Sequence, residues 1–219
     1  MRVSILGAIT GIALFASASA MAQQDNSSTM QMNAEQPADA GMATEKDGFK
    51  QANAEMMSEM GGVPMTGNAD VDFASLMIPH HRGAAAMAKV ELSFGKDQQI
   101  RKVAEDIIAK QGEEISFLQN WLQANAGASS KDAKAGEAEA FKAANAGMMS
   151  EMDAIPLSGN ADVDLARLMI PHHRGAAAMA KVELEYGKDP VIRKVAEEII
   201  AMQGEEISFL ETWLKANSQ

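Results

Sequence analysis

The sequence predicts an all-α protein, a four-helix bundle built from two repeated helical hairpins, each preceded by a short Met-rich helix. The first observation is an internal repeat. After a shift of 92 residues, 49–125 matches 141–217 with 59 of 77 positions identical, which indicates one structural unit used twice. The second is the spacing of apolar residues, which follows a helical period and nowhere alternates as a strand does. Two hairpins supply four long helices, the number in a four-helix bundle.

Each copy is predicted to contain three helices. In the first copy they run over 49–60, 70–94 and 98–125. The first helix is expected to stop at the pair Gly61 and Gly62, since adjacent glycines break helices. For the second helix, Asp70 or Asp72 is predicted as the N-cap, and Gly95 as the residue that follows its end.

The third helix is predicted to begin directly after a tight turn, which makes the second and third helices an antiparallel hairpin. Asp97 is its expected N-cap, and in the second copy Asp189 and Pro190 repeat this start, with proline at the first helical position. Pro79 and Pro171 fall inside the second helices. We expect one continuous, kinked helix in each case, where the kink either is a harmless bend or positions the histidines that follow it.

The composition of the chain excludes several classes of function. The 219 residues include 19 Lys and Arg against 30 Asp and Glu, a net charge of −11. This balance argues against nucleic acid and anionic membranes, because both are bound through clustered Lys and Arg. The absence of Cys excludes disulfides, thiolate metal sites and a cysteine nucleophile. Methionine, by contrast, occurs 17 times.

Residues 1–22 are predicted to be a secretory signal peptide. Arg2 supplies a basic start, and the apolar stretch 5–15 is too short to span a membrane. The tripeptide 20–22, Ala-Met-Ala, fits a cleavage site, with cleavage after Ala20 as the alternative. We therefore expect secretion across the inner membrane, into the periplasm of a Gram-negative cell, without membrane insertion after cleavage.

The remainder of the chain divides into two repeats and two connecting segments. The segment 23–46 is polar and aperiodic, and we predict a disordered linker that contains Met30, Met32 and Met42. The other predicted units are repeat 1 at 47–125, a flexible linker at 126–140 and repeat 2 at 141–219.

The second helix of each copy contains the candidate functional side chains. At 100° per residue, its apolar inward face also presents Met77, His80, His81, Met87 and Glu91. The third helix presents Gln111 and Glu114 toward that face. The equivalent residues of the second copy are Met169, His172, His173, Met179, Glu183, Gln203 and Glu206.

Two interpretations explain polar side chains on these inward faces. One is a satisfied network of hydrogen bonds, which would remove the cost of burying imidazoles and carboxylates. The other is a metal site. Because imidazole suits copper, zinc, iron and nickel while thioether selects Cu(I), a set of His and Met without Cys favours copper, with silver as its mimic.

The short first helices add three methionines each: Met56, Met57 and Met60, and their repeats Met148, Met149 and Met152. Met56 and Met60 lie one turn apart, so two thioethers could meet one ion. The alternative is that these methionines fill gaps in the core, because methionine is flexible and a good helix former.

Two runs of the first repeat resemble a known protein family. The run Leu-Met-Ile-Pro-His-His-Arg-Gly-Ala-Ala-Ala-Met-Ala, followed by Ile-Ile-Ala-Lys-Gln-Gly-Glu-Glu-Ile, resembles a ferritin-like "domain of unknown function" family with the pattern MIxHHxxA…MA and QxxEI. The pattern occurs twice and the resemblance covers 49–219. It implies an all-α bundle that binds Cu(I), Cu(II) or Ag(I). The implied ligands are Met77, His80, His81, Met87, Met169, His172, His173 and Met179.

Two other functions remain open. A di-iron enzyme would require Glu-x-x-His motifs, and no Glu precedes any of the four histidines by three residues. A metal-free structural or protein-interaction bundle is the second. Without a visible nucleophile–base pair or phosphate loop, we predict no catalysis. The expected function is an exported protein that sequesters or carries copper, with a periplasmic copper exporter or acceptor as its protein partner.

Overall fold

The computed structural model of the protein describes residues 44–125 and 136–217, which contain six helices and no strand. The helices are α1 (Glu45–Gly61), α2 (Ala69–Phe94), α3 (Gln98–Ala124), α4 (Glu137–Asp153), α5 (Ala161–Tyr186) and α6 (Pro190–Asn217). The predicted all-α fold is confirmed. The predicted signal peptide, residues 23–43 and residues 126–135 lie outside the described residues.

The bundle consists of two hairpins that meet through their first long helices. α2 packs against α3, α5 packs against α6, and α2 packs against α5. The short helix α1 lies on α2, and α4 lies on α5 in the same way. Among the helices of the described ranges, none combines the length and apolar character that crossing a bilayer requires.

Several predicted boundaries and features are confirmed. The Asp97 carboxylate accepts hydrogen bonds from the backbone N–H groups of Gln99 and Ile100 and so caps α3. α6 begins at Pro190 as predicted. Both α2 and α5 continue through their internal prolines.

The first helix of each repeat is longer than predicted. α1 begins at Glu45 rather than 49, and α4 begins at Glu137 rather than 141. In α1 the reason is an N-cap at Thr44, whose hydroxyl accepts a hydrogen bond from the Asp47 N–H at 3.2 Å. The residues at the end of each predicted linker therefore belong to a helix.

The predicted N-caps of α2, Asp70 and Asp72, are wrong. The cap is Asn68, whose side chain accepts from the Val71 N–H, and Asn160 does the same in α5. Asp72 is fully buried and accepts hydrogen bonds from the Thr66 N–H at 2.8 Å and the Gly67 N–H at 3.1 Å. It therefore closes the preceding turn, in which Gly67 has a positive φ of 77°.

Helix α1 packs tightly against α2 at a glycine. A Cβ added to Gly83 would lie 2.5 Å from Met56 Sδ and 2.7 Å from Met56 Cβ. Because the overlap includes the base of the Met56 side chain, rotation of its tip does not relieve it. Gly175 and Met148 make the same contact between α4 and α5.

We expect Gly83→Ala to lower the free energy of unfolding by about 1–3 kcal/mol, the usual cost of overpacking. Gly112→Ala is the matched control, since a Cβ there meets nothing within 4 Å. It should instead raise the free energy by about 0.5–1 kcal/mol, because alanine restricts the unfolded chain more than glycine does. Urea unfolding of both variants tests this, and equal effects would contradict the tight contact.

Candidate metal site

Two histidines meet at the centre of the α2–α5 contact. The rings of His80 and His172 are fully buried, with centroids 3.7 Å apart and planes inclined by 38°. Each Nε2 lies 3.1 Å from the backbone carbonyl oxygen of the other histidine. A carbonyl oxygen only accepts, so the proton of each ring belongs on Nε2. Both Nδ1 atoms then carry a free lone pair, and neither has a hydrogen-bond partner among the described residues.

This environment keeps the central histidines neutral. Burial, followed by the neighbouring histidines, lowers the pKa of His80 well below its usual value of 6.5, and the same causes lower the pKa of His172. A neutral imidazole is the form that binds metals.

Acid should therefore weaken the contribution that these two histidines make to the stability of the metal-free protein. Because the pKa of His80 and His172 is lowered on folding, their contribution to stability is present above pH 6.5 and is lost as the pH falls toward the lowered pKa. The double variant His80→Gln/His172→Gln keeps an N–H donor but does not titrate. Between pH 7 and about 5, the urea midpoint of the wild type should therefore fall relative to that of this variant; parallel curves would contradict the burial effect.

The second histidine of each pair faces a carboxylate of its own hairpin. His81 Nε2 lies 2.6 Å from Glu114 Oε2, and His173 Nε2 lies 2.8 Å from Glu206 Oε2. The predicted approach of these glutamates to the histidines is thus present. Neither contact is aligned as a hydrogen bond, so these Nε2 atoms and the Nδ1 atoms of both rings lack a hydrogen-bond partner. The glutamates are 22% and 17% exposed, whereas the histidines are fully buried, so the carboxylates lie between the histidines and the surface.

The methionines of the long helices are buried on the same faces as the histidines. Met77, Met87, Met169 and Met179 have no exposed surface. In the short helices, the buried methionines are Met56, Met60, Met148 and Met152, whereas Met57 and Met149 are half-buried. Since Met56 lies on Gly83, one helical turn beyond His80, the methionine face of α1 borders the histidine face of α2. Their role as ligands stays a prediction.

The other predicted supporting residues have different surroundings. Gln111 and Gln203 are buried, and their Oε1 atoms have no hydrogen-bond partner within the described ranges. Glu91 and Glu183 are also buried, but the groups identified beside them are acids of the other repeat, Asp162 and Asp70, rather than histidines. A role for Glu91 and Glu183 beside a metal stays a prediction.

The oxygen and imidazole donors do not form a complete metal site by themselves. Within the described residues, no group of three or more His, Cys, Asp or Glu side chains is arranged to hold a metal ion. Each hairpin offers a His–Glu pair, which supplies two donors, whereas protein metal sites commonly use three or four. A complete site therefore requires additional donors, and the buried thioethers are available for a soft ion.

Comparison with known proteins identifies the family. Residues 70–214 match the model of the family described as Domain of unknown function (DUF305). The chain belongs to the DUF305 family. A DUF305 protein from Streptomyces coelicolor has a similar fold, with a TM-score of 0.55 and 23% identity over 69% of this chain and 95% of that chain. No curated protein matches.

A second similar protein, CopM, has been solved with metals bound. Its Cu(I)-bound structure has a TM-score of 0.52 and 28% identity, covering 67% of this chain and 96% of that one. Its Cu(II)-bound structure has a TM-score of 0.52 and 26% identity, with 68% and 98% covered. A silver-bound structure of CopM has a TM-score of 0.53 and 26% identity, also with 68% and 98% covered.

Proposed function

We propose that this DUF305 protein is an exported copper-binding protein that sequesters or carries Cu(I) and Cu(II), and also Ag(I), through Met and His side chains. The observation that supports the proposal most directly is the burial of the four histidines without hydrogen-bond partners for at least one ring nitrogen each. All four are fully buried, and each has an Nδ1 atom without a hydrogen-bond partner. Leaving several buried lone pairs unsatisfied is costly, and a metal ion is one group that would satisfy them.

The chemistry of the surrounding side chains favours copper over other metals. Iron and manganese sites would use several carboxylates, and structural zinc sites commonly use thiolates. Here the additional buried donors are thioethers, which prefer Cu(I) and other soft ions. The His–Glu pairs His81–Glu114 and His173–Glu206 offer nitrogen and oxygen atoms that suit Cu(II). One bundle could thus bind both oxidation states through different donors.

The similarity to CopM supports the same proposal. CopM has been obtained in Cu(I)-, Cu(II)- and Ag-bound forms. The signal peptide predicted at 1–22 supports export, and a periplasmic copper exporter or acceptor is the proposed protein partner. We propose a binding role without catalysis.

A metal-free structural bundle is the alternative function. The reciprocal hydrogen bonds between His80 and His172 favour it, because they give each ring one satisfied nitrogen within a close-packed interface. In that case, the unpartnered Nδ1 atoms would accept hydrogen bonds from buried water.

Copper titration of the mature chain separates the two functions. Cu(II) should bind under oxidising conditions and Cu(I) under reducing conditions, each at a stoichiometry of one or more, with competing chelators to set the affinity. Zinc and Mn²⁺ serve as comparison ions and should bind more weakly. Absence of competitive copper binding in either oxidation state would favour the structural bundle.

A further inference from the structure

Two buried pairs of acids join the repeats at the two ends of the α2–α5 contact. Near the end of α2, Glu91 lies beside Asp162 at the start of α5. Near the end of α5, Glu183 lies beside Asp70 at the start of α2. Both glutamates are fully buried, and both aspartates are less than 10% exposed. We call these two arrangements the acid clamps.

Each aspartate reaches across to the backbone of the other repeat. Asp162 Oδ1 accepts hydrogen bonds from the N–H groups of Lys96 and Asp97, at 2.9 and 2.8 Å. In the second clamp, Asp70 Oδ1 accepts from the corresponding backbone groups at 188 and 189, at 3.0 and 2.8 Å. Two N–H donors on one oxygen are bound more strongly by an ionised carboxylate than by a neutral acid, so a proton within either pair is favoured on the glutamate.

Each glutamate packs its carboxyl group against a glycine that follows it in the chain. A Cβ on Gly95 would lie 1.9 Å from Glu91 Oε1 and 2.2 Å from its Cδ, and Gly187 relates to Glu183 in the same way. Gly95 has an extended backbone with φ of −68°. This conformation is open to any residue, so glycine is required here for space alone. The carboxyl group therefore occupies the space that any larger residue at 95 or 187 would fill.

The glutamate oxygens lack a donor when both acids are ionised. Neither oxygen of Glu91 or of Glu183 has a hydrogen-bond partner among the described residues, although the facing aspartate is close enough to accept a bond. Two carboxylates are both acceptors and cannot bond to each other. A proton on the glutamate supplies the missing donor and removes the repulsion between two buried charges.

The other charged groups around each clamp do not remove the repulsion between the two carboxylates. Asp97 also faces Glu91, and its charge adds to that of Asp162. Arg101 is the opposing charge, but its Nη1 already donates to the carbonyl oxygens of Leu92 and Gly95, at 2.8 and 3.1 Å.

The second clamp has the same surroundings, with Asp189 as the further acid and Arg193 as the cation. Burial, followed by the facing aspartate, raises the pKa of Glu91 to about 8 and that of Glu183 to about 9.

We propose that the glutamate and the aspartate of each acid clamp share a proton, and that this proton stabilises the contact between the repeats. Loss of these protons to water at alkaline pH weakens that contact. The device needs no copper, because it rests on the carboxyl pairs and the backbone amides alone. It makes the association of the two repeats depend on pH.

The expected pH dependence follows from the direction of the pKa shifts. Because folding raises the pKa of both glutamates above 4.5, the folded chain keeps two protons that the unfolded chain loses. The stabilisation is complete below pH 4.5 and is lost as the pH rises to about 8 and 9.

The full mature chain, without metal, provides the test. We expect the melting temperature of the wild type to fall between pH 6 and about 9. In Glu91→Gln/Glu183→Gln, a neutral amide supplies the donor at every pH, and the fall should be largely abolished. Glu105→Gln/Glu197→Gln is the matched control, since these residues are exposed and occupy equivalent positions in the two repeats; it should keep the fall.

A second measurement does not depend on the variants. The side-chain ¹³C signals of Glu91 and Glu183 in the wild type should titrate above pH 7, and the amides of Lys96 and Asp97 should lose protection from hydrogen exchange over the same range. Titration of both glutamates below about pH 6, close to the ordinary value for a carboxyl group, would overturn the proposal. A melting curve of the Gln variant parallel to that of the wild type would overturn it as well.

Discussion

A variant in which His80, His81, His172 and His173 are all replaced by alanine is expected to lose Cu(II) binding. Neutral imidazole is the nitrogen donor in this chain that suits copper, and the four rings supply all of it. Loss of a residue that only supports a ligand costs roughly 10–100-fold in metal affinity, so removal of the ligands should cost more. Competitive titration of Cu(II) measures the loss.

The methionines provide the contrasting variant. Replacement of the seven methionines of 56–65 and 148–152 with leucine should weaken Cu(I) and Ag(I) binding but largely spare Cu(II) binding, because thioether prefers soft ions. The replaced residues are Met56, Met57, Met60, Met65, Met148, Met149 and Met152. Leucine has a similar volume, so each change should cost less than about 1.5 kcal/mol of stability.

The two variants control for each other. Cu(II) affinity reports that the methionine variant is folded, and Cu(I) affinity does the same for the histidine variant. Equal loss of both ions in the methionine variant would contradict separate donors for the two oxidation states.

Contacts within one hairpin could be predicted from sequence because helical periodicity determines them. Glu114 lies at the border of the inward face of α3, and the short turn between α2 and α3 brings that face opposite His81. Helical periodicity also predicted that the histidines face inward, and the short turn before α3 predicted the cap at Asp97. Each of these features depends on the helical phase and one short turn.

Contacts between the hairpins could not be predicted in the same way. Periodicity placed His80 inward but did not indicate that it would stack on its own repeat, His172, or exchange hydrogen bonds with it. Asp70 was predicted to cap its own helix, yet it accepts bonds from backbone N–H groups 118 and 119 residues away. Near the start of α2, three side chains could cap the helix: Asn68, Asp70 and Asp72. Tertiary contacts determine which of them does so.

The internal repeat carries some information on these contacts. Asp70, His80 and Glu91 recur identically as Asp162, His172 and Glu183, and the hydrogen bonds that His80 and Asp70 make to the other repeat occur twice, with the roles exchanged. Such reciprocity is what a two-fold interface between like units requires. The repeat therefore indicated that a symmetric contact was possible, whereas the partners within it required the structure.

Copper retention should depend on pH at the histidine sites and be independent of pH at the methionine sites. Imidazole must be unprotonated to bind a metal, whereas a thioether has no proton to gain in this range. Cu(II) held by histidine should therefore be released as the pH falls, and Cu(I) held by methionine should remain bound. An imidazole with its ordinary pKa of about 6.5 would release the ion between about pH 7 and 5.

The structure moves part of the expected release to lower pH. Burial and the neighbouring histidines lower the pKa of His80 and His172, so protons compete less well for these rings than for a free imidazole. Copper bound at this central pair should persist below pH 6, and the His80→Gln/His172→Gln variant should lose that acid-resistant fraction. Bound Cu(I) and Cu(II) are measured against pH with a competing chelator, corrected for its own protonation. If one transition empties every site by about pH 5, the methionines serve as packing residues and the thioether ligands are wrong.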